Sequence, residues 1–151
     1  MINLAFKHIV RIAGHDVDGS RRVAYAITQV KGIGVNLAHA IIRALGIDPN
    51  IRIGFLSEAD IKRIEAAVKD PKSFGIPAWM FNRRKDLETG KNLHLIGSDL
   101  ILRVKADIDL MKKIKCWKGV RHALGLKVRG QKTRTTGRTG QTVGVTRKPR
   151  R

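Results

Sequence analysis

Val23–Leu45 reads VAYAITQVKGIGVNLAHAIIRAL, two apolar periodicities separated by a four-residue turn, and the architecture of the chain is built outward from it. Val23, Ile27 and Val30 recur at helical spacing and share one face, so the first half predicts a helix running to about Val30, capped by Ser20 or Asp18. The turn is Lys31–Gly32–Ile33–Gly34. A second apolar helix follows over Asn36–Leu45, closed by Gly46 and Pro49. Helices joined by so short a glycine-bearing connection pack as a hairpin.

Upstream, Phe6–Ile12 (FKHIVRI) alternates imperfectly and predicts a short strand or extended segment, with Gly14 and Asp16–Gly19 as a loop. Downstream, Ser57 opens a third helix with Glu58 and Asp60 in its first turn, where acids favour the positive end of the helix dipole. Ile61, Ile64 and Val68 supply its buried stripe, and Asp70–Pro71 stops it. Residues 71–97 read as a loop-rich insertion with one helical turn around Trp79–Arg84 and a tight turn over Asp86–Lys91. A longer helix is expected from Ser98 to about Cys116, with Ile101, Val104, Ile108 and Met111 forming a narrow seam suited to one neighbouring helix. The expected organisation is therefore mainly α: a helical domain over 1–70, the insertion at 71–97, a long connecting helix at 98–117 and an extended basic C-terminal tail at 118–151.

Charge is what separates the tail from the rest. The chain carries 31 Lys and Arg against 12 Asp and Glu, a net +19. Its last acid is Asp109; up to that point the excess is +5, and residues 110–151 add 14 cations with no acid at all. Self-repulsion of this size does nothing for a fold and points to a polyanionic partner. A one-signed block behaves as an interaction tail; a purely solubilising tail would use mixed signs. From Lys127 onward there is little to bury, so those 25 residues are expected to be disordered until bound, with a reach of roughly 80 Å at about 3.3 Å per residue.

Three stretches suit phosphate chemistry. In the Lys31–Gly34 turn, glycines let the N–H groups that begin the next helix face outward with the helix dipole behind them. Ile33 itself reads as a plug between the helices. Trp117–Gln131 (WKGVRHALGLKVRGQ) interleaves Lys118, Arg121, His122, Lys127 and Arg129 with glycines, so cations and backbone amides can approach a phosphate backbone together. His122 and Trp117 could stack on bases, although core packing is the favoured reading for Trp117. Lys132–Arg138 (KTRTTGR) and Arg147–Arg151 (RKPRR) add threonine hydroxyls and guanidinium forks, both donors to phosphate oxygens; a localisation signal is the bland rival for the last cluster.

Signatures of catalysis are missing. His8, His15, His39, His94 and His122 are scattered without metal-ligand spacing, and no phosphate-binding lysine loop or serine elbow occurs. The single cysteine, Cys116, excludes an internal disulfide and a multi-cysteine zinc site, and reads as structural. No cofactor is expected. No apolar run approaches the length of a membrane span, so no membrane partner is expected either.

The stretch Lys118–Gln131 (KGVRHALGLKVRGQ), with its basic residue, G-x-R-H and R-G-Q, resembles the signature of the small-subunit ribosomal protein thirteen family. Lys132–Gly140 continues in that family's manner, Ala26–Gly34 and the following helix resemble its helix–two-turn–helix element, and Phe6–Gly14 (FKHIVRIAG) resembles its N-terminal segment. Ile76–Gly90 and the Thr142–Arg147 ending look like the archaeal and eukaryotic branch, with archaea preferred. The resemblance implies a cytoplasmic, ribosome-bound structural protein of translation, placed in the head of the small subunit. Its implied partners are small-subunit rRNA, peptidyl-site tRNA, small-subunit ribosomal protein nineteen, and large-subunit ribosomal protein five across an inter-subunit bridge. Carried over by position, the rRNA contacts would be Lys31, Gly32, Ile33 and Gly34, then Lys118, Gly119, Arg121 and His122. They continue with Arg129, Gly130, Gln131, Lys132, Thr133, Arg134, Thr135, Thr136 and Arg138. The tRNA-proximal residues would be Arg147, Lys148, Arg150 and Arg151; the bridge falls to the N-terminal helical region with no single residue assigned. Two rivals come from other classes. A DNA-repair glycosylase also grips phosphates with a helix–two-turn–helix, but needs a catalytic N-terminal amine or acid and usually a four-cysteine zinc finger. A free nucleic-acid chaperone would share the charge but not travel with ribosomal subunits.

Overall fold

A computed structural model of the chain describes residues 6–137. Its secondary structure is mainly helical, with one two-stranded sheet among the described residues. Two compact units divide it, one ending at Arg103 and the other beginning at Val104.

The first unit opens with a β-hairpin, β1 (Ile9–Ile12) and β2 (His15–Asp18), antiparallel, with Val10 facing Val17 and Ile12 facing His15. Ala13 and Gly14 turn the chain with φ of 48° and 80°, the doubly positive pattern of a two-residue hairpin loop. The loop expected over Asp16–Gly19 is therefore largely a strand. HDVD offers only one apolar side chain to signal it, and Val17 becomes recognisable as core only when paired with Val10.

Helix α1 covers Val23–Ile27, shorter than the expected run to Val30. Neither proposed cap holds it: Arg22 occupies the N-cap position without a side-chain bond, and Asp18 Oδ1 instead accepts from the amide and hydroxyl of Ser20 at 2.9 and 2.8 Å. At the far end Thr28 Oγ1 donates to Tyr25 O at 2.7 Å, and the chain goes on in tighter three-residue turns, Gln29 to Ala26 and Val30 to Ile27. Helix α2, Val35–Leu45, ends as the glycine predicts, with Gly46 left-handed at φ 68°. Helix α3, Glu58–Lys69, starts from Ser57, whose Oγ accepts the Asp60 amide at 3.2 Å while donating to its carboxylate at 2.6 Å. Ile64, Ala67 and Val68 form its buried stripe. The core of this unit is one cluster of buried aliphatic side chains drawn from the hairpin, the three helices, Ile53, Leu56, Ile76 and Phe81.

Residues 71–96 contain a single turn of 3-10 helix, Ala78–Met80, and a tight turn closed by Asp86 N to Lys91 O at 3.0 Å. Asp86, 4% exposed, is the anchor of this segment. It accepts from Arg83 Nε at 2.5 Å and from Arg103 at 2.9 and 3.2 Å, with Thr89 adding two more donors. Those guanidinium donors hold its carboxyl well below the usual carboxylate range.

Helix α4, Gly97–Lys113, crosses the division between the units. It stops before Cys116, because Lys115 enters the left-handed region at φ 56° and a separate helix α5, Trp117–Ala123, begins. The seam expected to be buried stays largely open, with Ile101 39% and Val104 48% exposed. The seven-residue α5 crosses the end of α4, with Gly119 against Met111.

Candidate nucleic-acid interface

In the first unit the Lys31–Gly34 turn connects α1 to α2. Gly32 sits at φ 109°, and a β-carbon there would lie 2.6 Å from Leu95 O, so the turn presses directly on the chain leading into α4. Lys31 O accepts from Gly97 N at 2.7 Å on the same side. Ile33 is 5% exposed and plugs the core, which removes its side chain from any direct contact. What reaches the surface is the Lys31 side chain, Gly34 and the start of α2. The first turn of a helix has N–H groups with no intrahelical acceptor. Here Gly34 provides no side-chain cap and the first turn carries no acid. The amides of that turn thus present an uncompensated positive end, suited to a phosphate oxygen.

The second unit arranges the basic signature differently. Cys116 is the N-cap of α5: its Sγ accepts from Gly119 N and donates to Met111 O, both at 3.4 Å. Gly119 is buried, and a β-carbon there would fall 2.2 Å from Met111 O. Its lack of a side chain is what lets α5 cross the end of α4. Lys118 is exposed beside it. Arg121 does two things at once. Its guanidinium lies 5.7 Å from the centre of the Trp117 ring, and its Nε donates to Lys127 O at 2.6 Å, folding the following segment back on α5. His122 is half-buried, and its carbonyl accepts from Gly125 N at 3.3 Å.

Trp117 is 72% exposed, which overturns the core-packing expectation. Gly119 is the one buried residue of α5, and the indole is covered in part by Arg121.

After α5 the described chain has no helix or strand through Gly137. Arg129 N donates to Gln131 Oε1 at 3.2 Å across Gly130, which is at φ 75°. Lys132, Thr133, Arg134, Thr135 and Thr136 are all exposed, with the Thr136 hydroxyl donating to Lys132 O. Lys112 pairs with Asp109 at 3.5 Å, and no acid follows in the sequence. The exposed cations Lys118, Lys127, Arg129, Lys132 and Arg134 therefore have no carboxylate in their own segment. Arg138, Arg147, Lys148, Arg150 and Arg151 lie outside the described residues.

Sequence reasoning overlooked the thiol cap at Cys116, because the signal is a cysteine where Ser, Thr, Asp or Asn is usual. It also gave Gly119 to phosphate contact, whereas the structure places it at the helix crossing. Among the described residues no three His, Cys, Asp or Glu side chains converge as a metal site, and no helix is long and apolar enough to cross a membrane. His94 is held towards its neutral form by burial, and its Nε2 has no hydrogen-bond partner.

A family model described as ribosomal protein S13/S18 matches residues 11–139. The chain is 60% identical over 145 residues to the small ribosomal subunit protein uS13 of Staphylothermus marinus, covering 96% of each. It is 61% identical to that of Hyperthermus butylicus, covering 93% of each, and 59% identical to that of Saccharolobus solfataricus, covering 95% of this chain and 87% of the relative. These relatives bear out the archaeal preference, and the family match takes in both the glycine turn and the basic signature. The chain belongs to the ribosomal protein S13/S18 family.

Proposed function

We propose that the chain works as a clamp on folded rRNA in the head of the small ribosomal subunit. Its family is one of ribosomal proteins, structural rather than enzymatic. The observation that carries the reading is the charge arrangement in the second unit: exposed cations on and after α5, a stretch whose sequence carries no acid. Phosphates are the counter-charge such a segment is built to take up.

Two anchors divide the work. The amides at the start of α2, with Lys31 beside them, hold one phosphate group from a rigid turn. Lys118, Arg121 and His122 on α5, then Arg129 to Thr136 and on to Arg138, follow the RNA backbone, with Gly119 and Ile33 supporting through packing. Arg147, Lys148, Arg150 and Arg151 reach the peptidyl-site tRNA. The N-terminal helical region contributes to the bridge with large-subunit ribosomal protein five, beside small-subunit ribosomal protein nineteen, in ribosomes of the cytoplasm. The names of the relatives support the subunit assignment.

The test is binding of the full chain to a transcript of the head rRNA, measured against salt. Each phosphate contact contributes about 0.7–0.9 to the slope of log affinity against log salt. Replacing Arg129 and Arg134 with Ala should flatten that slope by about 1.4–1.8, and an unchanged slope removes those two contacts. In gradient sedimentation of a cell extract the chain should travel with small subunits at moderate salt; retention near the top would point instead to a free chaperone. Removal of Arg147–Arg151 should spare assembly and weaken tRNA retention, and loss of assembly would reassign the end of the chain to rRNA.

A further inference from the structure

The segment between α3 and α4 carries an aromatic ring and several cations that the two anchors do not use. Trp79 sits in the Ala78–Met80 turn, between Ile76 and Phe81, which are 5% and 6% exposed. With its flanks fixed in the core, the backbone of Trp79 is held in place, yet the indole is 68% exposed. The indole thus offers a flat apolar face to a partner that carries an aromatic group. Trp79, Asn82, Arg84, Lys85 and Asn92 line one shallow depression of about 690 Å³.

The acids nearby are already engaged. Asp86 is taken by Arg83 and Arg103, Glu88 pairs with Arg103 at 2.8 Å, and Asp70 Oδ1 accepts the Lys72 amide at 3.2 Å. Arg84, Lys85 and Lys91 have no ion pair among the described residues. The shelf is also held in a set shape. Lys85 adopts φ 49°, uncommon for a residue with a side chain, and its N–H donates to Asn92 Oδ1 at 3.0 Å across the depression. A flat exposed ring beside uncompensated cations is the chemistry that takes a base on its face and a phosphate at its edge.

We propose that this shelf seats an unpaired nucleotide of RNA, its base stacked on Trp79 and its phosphate held by Arg84 and Lys85. The site is separate from the glycine turn and the basic signature, and it rests on the chain being an RNA-binding protein. An acidic peptide is the competing occupant, disfavoured because its carboxylates answer the cations without offering the indole an aromatic face.

The full chain carrying Trp117→Phe has Trp79 as its sole tryptophan. Its emission is followed while fluorescently labelled oligoadenylate is added, and anisotropy of the label reports binding by the whole chain. Trp79 emission should be quenched saturably by oligoadenylate and left unchanged by inorganic polyphosphate or polyglutamate. Arg84→Ala with Lys85→Ala should shift the quenching midpoint by about tenfold. Emission that stays constant while anisotropy saturates overturns the shelf and leaves the rest of the RNA interface standing. Equal quenching by polyphosphate overturns the stacking, and quenching by polyglutamate makes the occupant a protein. If anisotropy never rises, the RNA-binding reading falls and the shelf falls with it.

Discussion

Every buried apolar side chain of the described protein lies between Val10 and Phe81, while from Val104 to Gly137 the one buried residue is Gly119. The first unit is held by a continuous aliphatic core. The second has helical backbone but exposes Val104, Leu110, Ile114, Trp117, Val120, Leu124 and Leu126. A seven-residue helix is marginal by itself in water, and α5 is held by a thiol cap, one glycine crossing and an arginine folded over a tryptophan. One region brings its own stability to an assembly; the other brings charge, and a few directed contacts that keep the charge in order.

The comparison breaks most readily in the core. Ile41→Ala, at a fully buried position of α2, should cost about 2–5 kcal/mol, read as a lowered midpoint in denaturant. A cost below about 1 kcal/mol would mean that the first unit depends on something other than burial. In the second unit the largest effect should come from Gly119→Val. A side chain there collides with Met111 O, so α5 must swing away and the Cys116 cap opens, at about 1–3 kcal/mol for the docking of the helix. Amide exchange over 117–123 should accelerate while amides of α2 keep their protection. Loss of protection in both would show that the two regions unfold as one.

The parts of the fold legible in the sequence are those with local, repeating signals. The stripe of α2, Gly46 as its stop, and Ser57 with its two acids all follow from residues within one or two turns of each other. The second strand was hidden because its partner is a strand, not a neighbour in a period. Helix α1 ended early because a threonine hydroxyl took a carbonyl that the helix pattern had assigned to an amide. For the interface, the cations and the plug at Ile33 could be read directly. Gly119 could not: whether a glycine serves a phosphate or a helix crossing depends on what lies opposite it. Trp117 misled for the same reason, since helical spacing says which face a residue is on but not whether anything covers that face.

Smaller changes sharpen the contrast. Ser57→Ala removes the α3 cap, whose Oγ accepts the Asp60 amide at 3.2 Å, and should cost about 1 kcal/mol. Leu124→Ala removes a side chain of core-forming type from a position 67% exposed. In the free protein it should move the unfolding midpoint by no more than about 0.5 kcal/mol, since the atoms removed already meet water. A leucine that costs as much as Ile41 when truncated would reveal apolar packing in the second unit.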